Sequence, residues 1–176
     1  DAGAEPELVA FHARQADDRE AAWPWVLRAA QRLKQRGERD AVVATLSEVR
    51  DHALDPVVAL KAEIMLAQEH LFDDLAAGRT ALELALVRAG DLPRGAERRI
   101  LEAGALAGLV DNAVFAGDLA RACALSRALR ERMPGLEKDV LVEAHQVLIE
   151  ASMRDGDFAA ARASLQGLRD AGVARP

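Results

Sequence analysis

Four histidines, one cysteine, four serines and two adjacent carboxylate pairs are the residues of this chain whose chemistry comes into question first. His12, His52, His70 and His145 show no two at the i, i+4 spacing that puts two imidazoles on one helix face for zinc. Around His70 the run Glu69-His70-Leu71-Phe72-Asp73-Asp74 gathers carboxylates beside one imidazole. Its place at a helix junction makes it a capping arrangement. His145 follows Ala144 on an apolar stripe and reads as a partly buried packing residue. Asp17-Asp18 and Asp73-Asp74 are paired carboxylates of the kind used for proton transfer. Both pairs fall at helix starts, where the positive end of the helix dipole favours them without any catalytic role. Ser47, Ser126, Ser152 and Ser164 lie outside any Gly-x-Ser-x-Gly elbow. Cys123 sits among small apolar residues with no histidine near it in sequence, so a packing role is expected rather than a nucleophile. A lone cysteine also excludes an internal disulfide. These residues form no catalytic constellation, no metal site and no cofactor site. The rival reading is a hydrolase or transferase whose groups assemble from distant helices.

The elements that must carry these residues are helices. Apolar residues make up 51% of the 176 residues and charged ones 30%, a balance that suits one folded domain, 1–176. Aromatics are scarce and Tyr is absent, while the long runs are Ala, Leu, Arg and Glu. Those residues lose little side-chain freedom on a helix, whereas strands favour β-branched and aromatic side chains. Val140, Leu141, Ala144, Leu148 and Ala151 recur at steps of three and four, as do Leu82, Ala85, Leu86 and Ala89. The pattern predicts helices at about 6–16, 20–36, 39–53, 56–72, 75–89, 94–116, 119–132, 137–155 and 158–171, with ends good to about ±2–4 residues. Pro56, Pro93 and Pro134 fall between helices, where a missing N–H costs little. Pro24 leaves two choices: the second helix begins near Trp23, or it is kinked there.

One shape repeats along the chain: a helix, a short acidic turn and a second helix. The turns are Arg36-Gly37-Glu38, Phe72-Asp73-Asp74-Leu75, Ala116-Gly117-Asp118-Leu119 and Asp155-Gly156-Asp157-Phe158. Their acids Glu38, Asp74, Asp118 and Asp157 stand 36, 44 and 39 positions apart by subtraction of their numbers. Gly117 and Gly156 can adopt the left-handed conformation that ends a helix. Asp118 and Asp157 can then cap the next helix. Four residues past each acid stand Val42, Gly78, Ala122 and Ala161, small in three cases of four, which permits close helix approach. Gly104 and Gly108, four apart in an apolar run, suit a tight helix crossing. The last helix carries a stripe of Ala159, Ala163, Leu165 and Leu168 with no following repeat to cover it.

Charge narrows the partners. A net charge of −6 and a pI near 5.3 argue against direct nucleic-acid binding. Arg94, Arg98 and Arg99 are the densest basic cluster and read as a solvated helix start. No run approaches the ~20 apolar residues of a membrane span, and no signal-peptide pattern is visible. A reducing, cytoplasmic setting is expected. The chain opens at Asp1 without a methionine and stops at Ala174-Arg175-Pro176, so a piece of a longer protein is expected, with a further domain beside it.

Gly117-Asp118-Leu119 with Ala122 and Pro134, and Gly156-Asp157-Phe158 with Ala161, resemble the tetratricopeptide repeat. The copies at Glu38-Arg39 and Asp73-Asp74-Leu75 keep the acid but lack parts of the signature. Every interval exceeds the family's usual length of about 34 residues. Leu8-Val9-Ala10-Phe11-His12-Ala13, Trp25-Val26-Leu27-Arg28-Ala29-Ala30-Gln31 and Gly37-Glu38 are similar to the entry of the helical repeats in bacterial multidomain signalling ATPases and transcriptional activators. No phosphate loop of such an ATPase is present. The resemblance implies an all-α, right-handed superhelix of antiparallel helix hairpins, a tetratricopeptide-like α-solenoid of about nine helices. It implies a non-catalytic module that binds a protein or peptide, a second copy or a neighbouring domain, within a transcriptional or signalling regulator. Sensing a small-molecule inducer is the alternative. In such a stack the first helices of the pairs line the concave side, which here puts Gln31, Lys34, Glu63, His70, Asp111, Gln146, Glu150 and Arg154 on the binding face.

Overall fold

The computed structural model describes residues 20–71 and 73–172, and no described residue is in a strand. Among the described residues a 3-10 turn, Glu20–Ala22, leads into eight α-helices: α1 Trp23–Gln35, α2 Arg39–His52, α3 Pro56–His70, α4 Leu75–Asp91, α5 Ala96–Phe115, α6 Leu119–Arg132, α7 Lys138–Asp155 and α8 Phe158–Asp170. All eight match helices expected from the apolar spacing, within two or three residues at each end. The leading helix expected at 6–16 lies outside the described residues. Pro24 falls in the first turn of α1, so the helix starts at Trp23 rather than bending there. An N–H at that position has no intrahelical partner, and proline forfeits nothing.

Three of the four acidic turns share one set of backbone bonds. The amide of Glu38 donates to Leu33 O at 3.0 Å, that of Asp118 to Ala113 O at 2.9 Å and that of Asp157 to Ser152 O at 2.9 Å. The glycine before each acid donates one turn inward, to Lys34, Val114 and Met153. This paired closure is the Schellman motif. It needs a left-handed residue, supplied by Gly37, Gly117 and Gly156 at φ of 77°, 74° and 79°. The turn before α4 has no glycine and closes differently: the amides of Asp73 and Asp74 both donate to His70 O.

The caps follow side-chain length. Asp74 accepts from the amides of Ala76 and Ala77 at 2.9 Å, Asp118 from Arg121 and Asp157 from Ala160 at 3.0 Å. Glu38 stands at the same place and makes no side-chain cap bond, its extra methylene carrying the carboxylate away from the free amides. Alanine at Asp74, Asp118 or Asp157 is expected to cost about 1 kcal/mol each, whereas Glu38→Ala should leave the urea midpoint almost unmoved. An equal loss at Glu38 would contradict this division of labour. The residues four past the acids, Val42, Gly78, Ala122 and Ala161, are all buried.

The chain divides into two compact units, Asp1–Glu69 and His70–Pro176. In the first, Trp23, Val26, Leu27, Ala29 and Ala30 of α1 meet Val42, Leu46 and Val49 of α2 and Ala62 and Leu66 of α3. The Glu20 carboxylate ties the entrance to this core. Its Oε1 accepts from Trp23 Nε1 and from the Leu54 amide, each at 3.0 Å. The Leu54 amide is the main reason why this carboxyl sits below its ordinary pKa.

In the second unit α5 packs against α4, α6 and α7, α6 also meets α7, and α7 pairs with α8. From Leu101 to Val110 every residue of α5 is buried except Gly104, which is half-buried. The core joins Ala103, Leu106, Ala107, Val110 and Val114 of α5 to Ala122 and Leu129 of α6 and to Ala144, Val147, Leu148 and Ala151 of α7. One expectation fails here. Leu168 is 9% exposed and faces inward, so the open stripe on α8 is Ala159, Ala163 and Leu165 without it. Leu168 follows Ala161 and Ser164 at helical spacing, and that trio is the buried side of the helix.

Candidate functional site

The residues expected on a binding face divide between the two units. Gln31 and Lys34 on α1 are exposed, and Glu63 on α3 is half-buried. His70 ends α3 exposed, Asp111 is half-buried on α5, and Gln146, Glu150 and Arg154 are exposed on α7. The last three follow helical spacing along one strip of α7. Arg154 Nη2 reaches Glu150 Oε1 at 3.5 Å, one turn away. Two exposed apolar residues accompany that end of the hairpin, Met153 in the last turn of α7 and Phe158 at the start of α8.

Lys34 is engaged already. Its Nζ lies 2.8 Å from Oε1 of Glu69, which is 4% exposed. Arg39 joins the same place by donating to the Glu69 carbonyl at 2.7 Å. Glu69 therefore belongs to an ion pair between α1 and α3 and not to a capping arrangement around His70. Asp74 of that acidic run caps α4 through its side chain. His70 contributes its carbonyl to the turn.

The arginine cluster also differs from a solvated helix start. Arg98 Nε bonds Glu102 Oε1 at 2.7 Å, and Arg132 of α6 bonds the other carboxylate oxygen at 3.0 Å. Arg98 further reaches the Leu92 carbonyl, and Arg99 donates to the Pro134 carbonyl at 3.0 Å. Glu102 is buried. Burial alone would raise its carboxyl, but the two guanidiniums outweigh that and hold it below the ordinary carboxylate range. Two arginines on one buried carboxylate join α5 to α6. Nearby, Asn112 Nδ2 donates to the Leu75 carbonyl at 2.7 Å and fixes α5 to the first turn of α4.

Cys123 is half-buried. Burial, and then hydrogen bonding to Asp155, push its thiol above the ordinary value, so it is a poor nucleophile at neutral pH. His145 is half-buried on α7 with its ring against Gly167 of α8, as a packing residue should be. Among the described residues no group of three His, Cys, Asp or Glu converges as a metal site. No described helix is long and apolar enough to cross a membrane.

Glu102, Glu69 and Asn112 carry buried polar contacts between helices, and spacing alone does not single them out. A trace of each was present. Glu102 follows Arg98 by four inside an apolar run, and Glu69 closes the run Ile64-Met65-Leu66-Ala67. No family model matches the chain, and no curated protein matches it either.

Proposed function

We propose that this chain is a tetratricopeptide-like interaction module, a right-handed superhelical stack that binds a protein or peptide segment in a bacterial transcriptional or signalling regulator. The observation that carries the reading is the repeated turn. Three hairpins close with the same glycine, the same two backbone bonds and an acid at the same position. Four residues later each packs a buried side chain, two of them alanine. A unit repeated at this level of detail cannot bury its apolar face alone, and it stacks on its neighbours. The packing of α5 on both α6 and α7 supports such stacking. The strip Gln146, Glu150 and Arg154 is the part of the expected binding face that the second unit presents most openly.

The Glu150–Arg154 pair makes a clean probe. Both side chains are about half exposed, and an i, i+4 pair of that kind contributes only about 0.3–0.5 kcal/mol. Glu150→Ala combined with Arg154→Ala should therefore leave thermal unfolding nearly unchanged. Peptides enriched from a random library on the full chain should bind the double variant about tenfold more weakly by calorimetry, the effect of roughly 1.4 kcal/mol of lost contact. Unchanged affinity with unchanged folding would show that this strip is not the binding face.

A further inference from the structure

Gly167 sits inside α8, where glycine costs about 1 kcal/mol relative to alanine. Its place has a physical reason. A Cβ added there would collide with Cε1 and Nε2 of His145 and would stand 3.0 Å from Nδ1. The missing side chain is a notch in α8, and the imidazole of α7 fills it. Within the notch, Nδ1 of His145 is buried and has no hydrogen-bond partner among the described residues.

We propose that the α7–α8 hairpin is an acid-opened latch, closed by the neutral His145 ring seated in the Gly167 notch and released when that ring takes a proton from solvent. A neutral imidazole has one donor and one acceptor, and an idle acceptor is a small loss. The imidazolium has two N–H donors. One of them would then be buried at Nδ1 with nothing to accept it, a larger cost because the group is charged. Burial accordingly holds the ring below its ordinary pKa, with the charge of Asp170 opposing.

The charges along this seam favour an outward swing. Asp170, near the end of α8, attracts a charged ring, and its own carboxylate is already held by Gln166 at 2.8 Å. Arg169, its neighbour on α8, is exposed. Lys138, two turns before His145 on α7, lies 3.7 Å from where a Gly172 side chain would start. The faces of α7 toward α5 and α6 are occupied by Ala144, Val147, Leu148 and Ala151. A charged ring therefore moves toward water beside Asp170 and empties the notch. The far half of α8 loses its seat, and the inward face that holds Leu168 opens.

The sign is that of a histidine with a lowered pKa. The unfolded chain binds the proton first, so the hairpin keeps its full stability above the ordinary histidine value. It loses stability as pH falls from that value toward the lower one of the folded state.

Hydrogen exchange on the full chain tests the latch, with labelling times scaled for the intrinsic effect of pH. Between about pH 7.5 and about pH 5, amides of α8 should exchange about tenfold faster while those of α5 stay as they were. His145→Gln should abolish the difference between the two pH values, even if it loosens α8 at both. An α8 that is equally protected at both pH values in the natural chain would overturn the proposal. So would a pH effect that survives in His145→Gln. A second measurement separates the notch from general packing. In Gly167→Ala the ring is expelled, so the titration of His145, followed by its ring proton resonances, should move up toward the ordinary value. An unmoved titration would also overturn the proposal.

Discussion

Replacing Trp23 with alanine is expected to destabilise the chain by about 3–5 kcal/mol. Trp23 is 2% exposed and heads the fully buried side chains by volume. It opens α1 and anchors the cluster that α1 shares with α2 and α3. Its loss leaves a cavity and also removes the Nε1 bond to the Glu20 carboxylate, which ties Leu54 to this core. Trp25 supplies the readout. It is half-buried, with the Arg28 guanidinium 4.9 Å from its ring centre, and its emission should report unfolding when Trp23 is gone. Trp23→Phe fills most of the volume and should cost less than half as much. A urea midpoint that barely moves in Trp23→Ala would mean that this ring is not the anchor of the first core.

Glu102→Ala is expected to cost about 3 kcal/mol, the lower end of the range for breaking a buried ion pair. The lower end applies because Arg98 and Arg132 are 29% and 39% exposed and can recover some hydration. The cost arises from two guanidiniums losing a shared counter-charge, so removing all three charges should restore most of the stability. Arg98→Met, Glu102→Leu and Arg132→Met together should fall within about 1 kcal/mol of the natural chain. Urea unfolding followed by circular dichroism measures both. A triple variant weaker than Glu102→Ala would show that packing around Glu102, not its charge, holds α5 to α6. The pH dependence has a definite sign. The folded-state carboxyl is lowered, so its contribution is complete above the ordinary carboxylate value and is lost as pH falls through the lower folded value. Glu102→Ala should accordingly lose less stability on acidification than the natural chain.

What could be read in advance was what the chain settles locally. Gly117-Asp118 and Gly156-Asp157 end one helix and start the next through atoms within five residues, so their chemistry is visible in any short window. The apolar spacing placed eight helices for the same reason. Glu102, Glu69 and Asn112 depend on partners 30 to 37 residues away or on neighbouring helices, and a charged or amide residue in an apolar run does not announce which. A stripe drawn from apolar residues alone puts Leu168 on the open side of α8, whereas it lies on the buried side. Ser164, a small polar residue, marks the buried side of α8 as clearly as Leu168 does. The binding strip proposed on α7 is the least legible feature. Exposed Gln, Glu and Arg on a helix look the same whether they meet a partner or only water.

The glycine–acid turns bear on how such a chain can change over generations. Each turn is closed by bonds to carbonyls of the helix just before it, and those at Asp118 and Asp157 also by a cap on the helix just after. It reads nothing farther away. An insertion or deletion in the body of a helix therefore leaves the next corner intact, and the register of one hairpin is not inherited by the following one. Helices of 13 residues in α1, 20 in α5 and 18 in α7 enter the same corner. Length drift of that kind erases a fixed period while sparing the corners, so descent in this chain is better traced by aligning corners than by searching for a constant repeat.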